Sequence, residues 1–364
     1  MPIYMDRHDV SAEVTAENVA ELHQQDLKVQ HKFDCRGLTY WFDDLRKTAF
    51  CLIEAPSAEK LKQMHDHAHG EVPHRIIEVD PSIVESFLGR IEDPVKAKDT
   101  RLNIINDPAF RIIMAIEPAL KSYKNHDKHS LQQLSENYKK QVSETVPEFG
   151  GRIASNKENR FLVSFTSVTK AVECALQLQS EVKGKAVDEL PDLKIGLSAG
   201  VPVTEKNALF EDTVKLAESM CFLNAGISIS EEINDLYRSE NVHHTSFDKR
   251  IFVLSEADQQ FLSGLVEFTE NAWTDTGLNV VDFERHLALS KSKLYRKMTA
   301  LIGTSPNGFL MHYRVKRIRE QLHKKNSNIA EVAYNGGFNS PSYFAKCFSK
   351  VYGLTPSAYK RLWV

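Results

Sequence analysis

The chain has 364 residues, of which 26% are charged, and its formal net charge is −3. A chain of this length exceeds what one hydrophobic core usually organises, so we expect two or three domains. The first residues do not join a basic segment to an apolar stretch, and no apolar run is long enough to cross a bilayer, so the patterns typical of secreted and membrane-spanning proteins are missing. We expect a cytoplasmic protein with no membrane partner.

The cysteines are scattered and form no CxxC pair. An odd number of cysteines without paired spacing argues against a disulfide framework. We expect reduced thiols, most of them in the core, at Cys35, Cys51, Cys174, Cys221 and Cys347.

The first eighty residues have the hydrophobic patterns of a compact α+β domain. The predicted elements are a strand over 2–6, a helix over about 15–33, strands over 36–42 and 48–54, a helix capped by Ser57 that ends near residue 70, and a strand over 75–79. This βαββαβ order is the ferredoxin-like pattern.

Several short motifs in residues 1–80 resemble a small bacterial family of nickel-binding ferredoxin-like proteins. The motifs are Met5-Asp-Arg-His, Thr39-Tyr-Trp-Phe-Asp, Cys51-Leu-Ile-Glu-Ala-Pro, His65-x-x-x-His69-Gly70 and Ile76-Ile-Glu-Val. The resemblance implies a sensor domain for nickel or another divalent transition metal.

The residues themselves also allow a metal site. His65 and His69 are four positions apart and so share a helix face, and imidazole suits nickel, copper and zinc. We predict His8, His65 and His69 as ligands, with Glu54 or Cys51 as possible additions. The open alternative is a ligand pocket without metal, lined by Tyr40, Trp41 and Phe50.

Residues 81–108 have the composition of a linker. Pro81, Pro94 and Pro108 interrupt a charged stretch that includes Lys96-Ala-Lys-Asp. We therefore expect a connection without a core of its own.

A second α/β pattern follows over residues 109–255. The predicted elements are a strand over 110–116, a helix over about 130–147, a hairpin-like pair over 150–153 and 160–165, a helix over 167–182, a strand over 193–200 and a helix that begins near Phe210. With its Gly-Gly-Arg turn at 150–152 and its Ile195-Gly-Leu-Ser-Ala-Gly strand, this segment resembles the class III nucleotide cyclase domain.

The residues that cyclase chemistry requires are replaced. Two carboxylates would hold the metal ions, and the matching positions have Ala115 and Asn159. Lys215 and Ser219 stand where the family uses Asn and Arg, and Glu158-Asn159-Arg160 replaces a Gly-Asp-Gly turn. We expect no enzyme activity. Two roles stay open: an effector cleft of nucleotide size, or dimerisation alone, since the resemblance implies a head-to-tail homodimer.

Two helix-turn-helix signatures occupy the C-terminal part, residues 262–364. In the first, Ser290 precedes the second helix, and the apolar positions are Phe283, Leu287, Leu294 and Met298. In the second, Gly336 and Gly337 suit positive φ in a tight turn, Ser340 is a good N-cap, and Pro341 follows at the first helical position. With the Leu-Tyr-Arg-Lys helix and the closing Tyr352-Gly-Leu-Thr-Pro-Ser-Ala-Tyr, residues 265–362 resemble the DNA-binding domain of AraC-family regulators.

Such units present the second helix of each pair to the major groove of double-stranded DNA. By position, the predicted base-facing residues are Ser292, Tyr295, Arg296, Ser342, Ala345 and Lys346, although Tyr295 and Tyr343 could be partly core. The other predicted DNA-binding residues are Lys291, Lys297, Arg314, Arg317 and Ser340.

Charge distribution favours the same interpretation. Residues 261–364 carry fifteen Lys and Arg against seven Asp and Glu, a net charge of +8, while the remainder carries −11. A basic surface releases counterions from DNA, whereas an acidic remainder suits sensing or assembly. We expect a one-component transcription regulator that responds to a metal ion or small molecule. The alternative is a metal-binding or enzymatic protein whose DNA-binding domain serves only autoregulation.

Overall fold

The computed structural model describes residues 1–95, 102–119, 128–157, 159–184, 192–242, 248–322 and 328–363, with the backbone alone at 128–131, 182–184 and 362–363. Two sheets and a C-terminal group of helices make up this part of the chain. None of the helices formed by the described residues combines the length and apolar character needed to cross a bilayer.

The N-terminal domain has the predicted βαββαβ order. Its elements are β1 Ile3–Asp9, α1 Ala16–Val29, β2 Arg36–Asp43, β3 Thr48–Glu54, α2 Ala58–Ala68 and β4 Arg75–Val79. The sheet is antiparallel with strand order β2-β3-β1-β4. Thr15 and Ser57 begin the two helices, because their side chains accept hydrogen bonds from the otherwise unpaired amides of Asn18 and Lys60.

The predicted linker is wrong over its first eight residues. Pro81–Leu88 forms helix α3, capped by Asp80, and Val84, Phe87 and Leu88 on it are buried. Proline at the first helical position starts a helix without losing a hydrogen bond, so Pro81 is a helix signal here. Of the linker motif Lys96-Ala-Lys-Asp, no residue lies in the described ranges.

The middle domain is built on a six-stranded mixed sheet. Its elements are β5 Arg111–Pro118, α4 Lys128–Glu148, β6 Arg152–Lys157, β7 Arg160–Phe165, α5 Val168–Gly184, β8 Leu193–Gly200, α6 Glu211–Met220, β9 Ile227–Ser230, α7 Glu231–Glu240 and β10 Ile251–Leu254. The strand order is β10-β9-β8-β5-β7-β6. The four-residue strands β9 and β10 are too short to show a period in the sequence.

The N-terminal sheet packs against the middle domain through one apolar cluster. Trp41, Phe50 and Met5 are fully buried in it, together with Ile113 and Phe210 of the middle domain. Tyr40, on the opposite face of β2, is buried beneath the helices, and its hydroxyl donates to the carbonyl of Asn103 at 2.8 Å. The predicted pocket lined by Tyr40, Trp41 and Phe50 is therefore wrong, since these side chains fill two separate cores.

The C-terminal domain is helical. Its elements are α8 Glu256–Ala272, α9 Val280–His286, α10 Lys291–Ile302, α11 Pro306–Leu322, α12 Ile329–Asn335, α13 Pro341–Tyr352 and α14 Pro356–Trp363. The predicted domain start at residue 262 falls inside α8, which Ser255 caps. Phe283, Leu294 and Met298 are fully buried, as the first helix-turn-helix pattern predicts.

The two glycines of the second turn have different roles. Gly337 takes a φ of +77°, as predicted, but Gly336 has a φ of −90°. The prediction that Gly336 takes a positive φ is therefore wrong. A Cβ there would lie 2.2 Å from Cδ1 of Ile318, so close approach of α11 is what excludes a side chain.

Candidate metal centre and nucleic-acid interface

The N-terminal domain contains a buried histidine held between two carboxylates. His65 Nε2 lies 2.9 Å from Asp6 Oδ2, and His65 Nδ1 lies 3.1 Å from Asp26 Oδ1. Asp6 comes from β1, Asp26 from α1 and His65 from α2, and all three are buried. Because both ring nitrogens face acceptors, the ring is best satisfied as an imidazolium that donates at both positions.

Electrostatics supports that protonation state. Burial by itself would lower the pKa of His65, but the hydrogen bonds to Asp26 and Asp6 raise the pKa to about 10. Burial would raise the pKa of Asp6, and the neighbouring His8 and His65 nevertheless hold it below its ordinary value. A metal ion at this position would therefore displace a proton from His65.

Two further histidines flank this ring. His69, which follows the last residue of α2, places Nε2 3.2 Å from Asp26 Oδ1 and 3.3 Å from His65 Nδ1. His8 places Nε2 3.4 Å from Asp6 Oδ1, and its ring centroid is 5.1 Å from that of His65. The three predicted histidine ligands are thus neighbours, joined through two aspartates.

The possible additional ligands differ in their positions. Cys51 is paired with Asp6 across the strands, and its amide donates to Asp6 Oδ1 at 3.0 Å. Glu54 pairs with Ile3 at the opposite end of β1 from His8, and it contacts the N-terminal amine at 3.4 Å. The prediction that Glu54 joins the metal site is therefore wrong, because about five residues of extended strand separate it from His8.

Sequence reasoning missed both aspartates. Strand side chains alternate between faces, so Asp6 and His8 share the face of β1 that the helices cover. A carboxylate at such a buried position indicates a charged partner or a metal ion. Asp26 gave no comparable signal, because acidic residues are common on helices.

The donor set fits a borderline divalent metal. The described residues contain two groups in which the ligand atoms lie within 4.8 Å of one another: Asp6 with His8 and Cys51, and Asp26 with His65 and His69. Imidazole nitrogen and carboxylate oxygen are ligands that nickel and zinc accept. Cys51 is buried, and burial raises the pKa of its thiol well above the ordinary value, so this thiol is the poorest donor of the six.

The second helices of the two helix-turn-helix units present exposed side chains. On α10, Lys291, Ser292 and Arg296 are exposed and Tyr295 is half-buried; on α13, Ser342 and Lys346 are exposed, while Ser340 and Ala345 are half-buried. Tyr343 is 60% exposed, so it is not a core residue. Ser340 and Pro341 begin α13 as predicted, and Ser340 Oγ accepts from the amide of Tyr343.

Three of the predicted DNA-binding residues have partners within the protein. Arg314 donates through Nε to the carbonyl of Trp273 at 2.7 Å, and Lys297 Nζ lies 2.9 Å from Asp258 Oδ1. Arg317 lies 3.4 Å from Glu270, beside the middle domain. These three side chains are thus less suited to holding phosphate than their position in the sequence indicated.

The middle domain lacks a pair of carboxylates at the predicted metal positions. Ala115 is buried in β5, and the Asn159 side chain accepts a hydrogen bond from Ser135 Oγ at 3.1 Å. Glu117, two residues further on the same face of β5, is a carboxylate, but it is ion-paired with Lys316. Glu158 lies outside the described residues.

Lys215 and Ser219 both lie on α6 and line a cleft that α8 and α11 of the C-terminal domain cover. Lys215 Nζ is 2.8 Å from Glu211 Oε1, and Ser219 Oγ donates to the carbonyl of Lys215 at 2.6 Å. Both are thus engaged with their own helix.

All five cysteines are free and buried, as predicted.

Comparison with known proteins identifies both ends of the chain. Residues 4–79 match the family model of nickel responsive proteins similar to SCO4226, and residues 284–362 match a helix-turn-helix domain model. A solved structure of SCO4226 from Streptomyces coelicolor A3(2) is 32% identical, covers 21% of this chain and 94% of that one, and has a TM-score of 0.20.

Curated relatives are similar over short segments. A putative AraC-like transcription regulator of Streptomyces lividans is 29% identical over 90 residues, which are 25% of this chain and 28% of that protein. Histidine kinase P4 of Formosa agariphila is 34% identical over 107 residues, 29% of this chain and 8% of the kinase. The chain thus spans less than a third of either relative.

For the middle domain, a bacterial light-regulated adenylyl cyclase is a weak structural neighbour, 13% identical with a TM-score of 0.31, covering 65% of this chain and 86% of that one. The two family matches lie at opposite ends of the chain, so the protein combines an N-terminal domain of the nickel-responsive SCO4226-like family with a C-terminal helix-turn-helix domain of the AraC type.

Proposed function

We propose that this protein is a sequence-specific DNA-binding transcription regulator whose activity responds to a divalent metal ion bound in the N-terminal domain. The observation that carries the proposal is the position of His65 between Asp6 and Asp26, in a domain that shares a chain with two helix-turn-helix units. A regulator of this kind acts in the compartment that holds the chromosome.

The N-terminal domain is proposed to have a ferredoxin-like fold, and its metal ligands are proposed to be Asp26, His65 and His69, with Asp6 and His8 next to them. Asp26 Oδ1 is within 3.2 Å of both histidine rings, so one ion could replace the proton now shared among these groups. Nickel is the first candidate, since the matching family is described as nickel responsive.

The middle domain is proposed to transmit the signal rather than to catalyse a reaction. Its sheet packs against β1–β4 through the cluster that contains Trp41 and Phe210. On its other side, Met220 and Leu223 pack with Leu262 of α8. A cyclase-like ancestry is consistent with this placement, and Ala115 with Asn159 leaves no carboxylate pair for a two-metal reaction.

We further propose that the protein acts as a homodimer, because paired half-sites on DNA are usually read by two symmetric copies. The face that carries Lys215 and Ser219 is covered by α8 and α11, so a second copy would use another face. Sedimentation of the full chain with and without DNA tests this; a monomer under both conditions would contradict it.

Selection of bound fragments from a random DNA library tests the proposed function. We expect enrichment of a defined sequence by the full chain, and loss of preference at one or more positions with Arg296→Ala. Enrichment of no sequence, at any nickel concentration, would overturn the assignment.

A further inference from the structure

A cleft of about 410 Å³ lies between the middle and C-terminal domains. Helix α6 supplies Lys215 and Glu218, helix α8 supplies Glu267 and Glu270, and helix α11 supplies Tyr313. Because its walls come from two domains, anything bound there would contact both.

Most of the cations around this cleft already have carboxylate partners. Lys316 is 2.7 Å from Glu117, Arg160 is 3.0 Å from Glu320, Lys215 is 2.8 Å from Glu211, and Arg317 is 3.4 Å from Glu270. Of the cations that line the cleft, only Lys206, which is exposed, has no ion pair among the described residues. The basic groups are therefore largely committed, which disfavours an anionic ligand.

Of the carboxylates that line the cleft, Asp212, Glu218, Glu232 and Glu267 have no such partner among the described residues. Among the residues that the structure describes, neither Glu218 nor Glu267 has an ion pair within 4 Å. Glu218 is partly buried, and burial raises the pKa of its carboxyl, although Arg160 opposes this rise; a cationic ligand would favour the ionised form. The cleft thus has carboxylates with which no cation of the described residues forms an ion pair.

A single metal ion is a poor match for this charge. Within the described ranges, the groups of three donor atoms close enough to share an ion are the two in the N-terminal domain. The carboxylates of the cleft are too dispersed for that, so an extended cation with more than one positive centre fits them better.

The cleft also has an aromatic wall. Phe222 and Tyr313 stack with their ring centroids 5.9 Å apart, and the ammonium of Lys316 lies 4.5 Å from the centroid of Phe222. This contact shows that the ring already accepts a cation, as aromatic faces do for amine ligands.

We propose that this cleft binds a small organic polyamine, with one ammonium group at Glu218 of the middle domain and another at Glu267 of the C-terminal domain. Such a ligand would stabilise the docking of these two domains, because it contacts both. This second effector site is independent of the metal centre and goes beyond the proposed function.

Calorimetric titration of the full chain without DNA tests the proposal, with 1,4-diaminobutane and spermidine as probes. We expect saturable binding at one site. After Glu218→Gln or Glu267→Gln the affinity should be weaker than that of wild type by about tenfold or more, because each variant loses a charge-assisted hydrogen bond. Glu136→Gln removes an exposed carboxylate on α4, away from the cleft, and should bind like wild type.

Thermal melting shows whether each variant still folds. Glu267 is exposed, so Glu267→Gln should fold and can be tested even if Glu218→Gln unfolds. Equal affinity of Glu267→Gln, Glu136→Gln and wild type would overturn the proposal, because the amines would then bind only as counterions. Saturable binding of pyrophosphate without binding of either amine would overturn it as well, since the cleft would then select anions.

Discussion

Lys316 of α11 donates to both carboxylate oxygens of Glu117 at the end of β5, at 2.7 and 2.8 Å. The two side chains are only 12% and 15% exposed. This ion pair therefore attaches α11, the helix between the two helix-turn-helix units, to the middle domain. Burying two charges is costly, and removing only one of them leaves the other buried without its partner.

Replacing Glu117 should therefore destabilise the docked arrangement. We expect Glu117→Ala to lower the free energy of unfolding by about 2–5 kcal/mol, and the double change with Lys316→Met to cost less than the single one. Urea unfolding of the full chain measures both. Lys140→Met removes a pair that is 73% and 64% exposed and should have almost no effect; a comparable loss in this control would contradict the prediction.

The same pair predicts a response to acid. Burial would raise the pKa of Glu117, but Lys316 lowers it below the ordinary value of 4.5. A lowered folded-state pKa means that the stabilisation is present at neutral pH and is lost as the pH falls below 4.5 through the lowered value. X-ray scattering should show the chain expanding over that range, and the Glu117→Gln chain should expand less steeply. Identical pH profiles for the two would exclude Glu117 as the cause.

Gly336 should tolerate no side chain. Its Cβ would lie 2.2 Å from Ile318, so Gly336→Ala should destabilise the C-terminal domain by about 1–3 kcal/mol and weaken DNA binding. Gly264 on α8 is a matched control, since its Cβ would lie 3.4 Å from Leu287, an ordinary contact. Gly264→Ala should be neutral or slightly stabilising in thermal melts. A neutral Gly336→Ala would show that the Ile318 side chain, or α11 with it, can move away.

Two arginines separate DNA contact from stability. Arg296 is exposed on α10, and we expect Arg296→Ala to weaken specific binding by about 1–3 kcal/mol and to relax base preference without lowering the melting temperature. Arg314 holds the carbonyl of Trp273 at 2.7 Å, so Arg314→Ala should lower the melting temperature. Anisotropy titrations and melts distinguish the two, and the reverse pattern would contradict this assignment.

Local patterns in the sequence predicted the N-terminal strands closely. Strands β3 and β4 have the predicted bounds, because each is a short run rich in apolar residues that turn-forming or charged residues flank on both sides. Helix α3 was missed because Pro81 was interpreted as a linker residue, although proline also begins helices.

Long-range pairing was the part that the sequence could not show. Glu117 and Lys316 are 199 positions apart, and no sequence pattern pairs them. Asp6 and Asp26 likewise meet His65 only because β1, α1 and α2 pack together. The structure places the three predicted histidines close to one another. The two aspartates between them lie on elements that only tertiary packing brings together.

Nickel-dependent DNA affinity is the most direct test of the account. Using a fragment selected by the full chain, anisotropy titrations with nickel and with a chelator should give dissociation constants that differ by about fivefold or more, the range of typical allosteric coupling. Asp26→Asn should abolish this difference, because Asp26 contacts both His65 and His69, while Glu21→Gln at an exposed site on the same helix should retain it. Equal affinity with nickel and chelator in wild type would contradict the central claim.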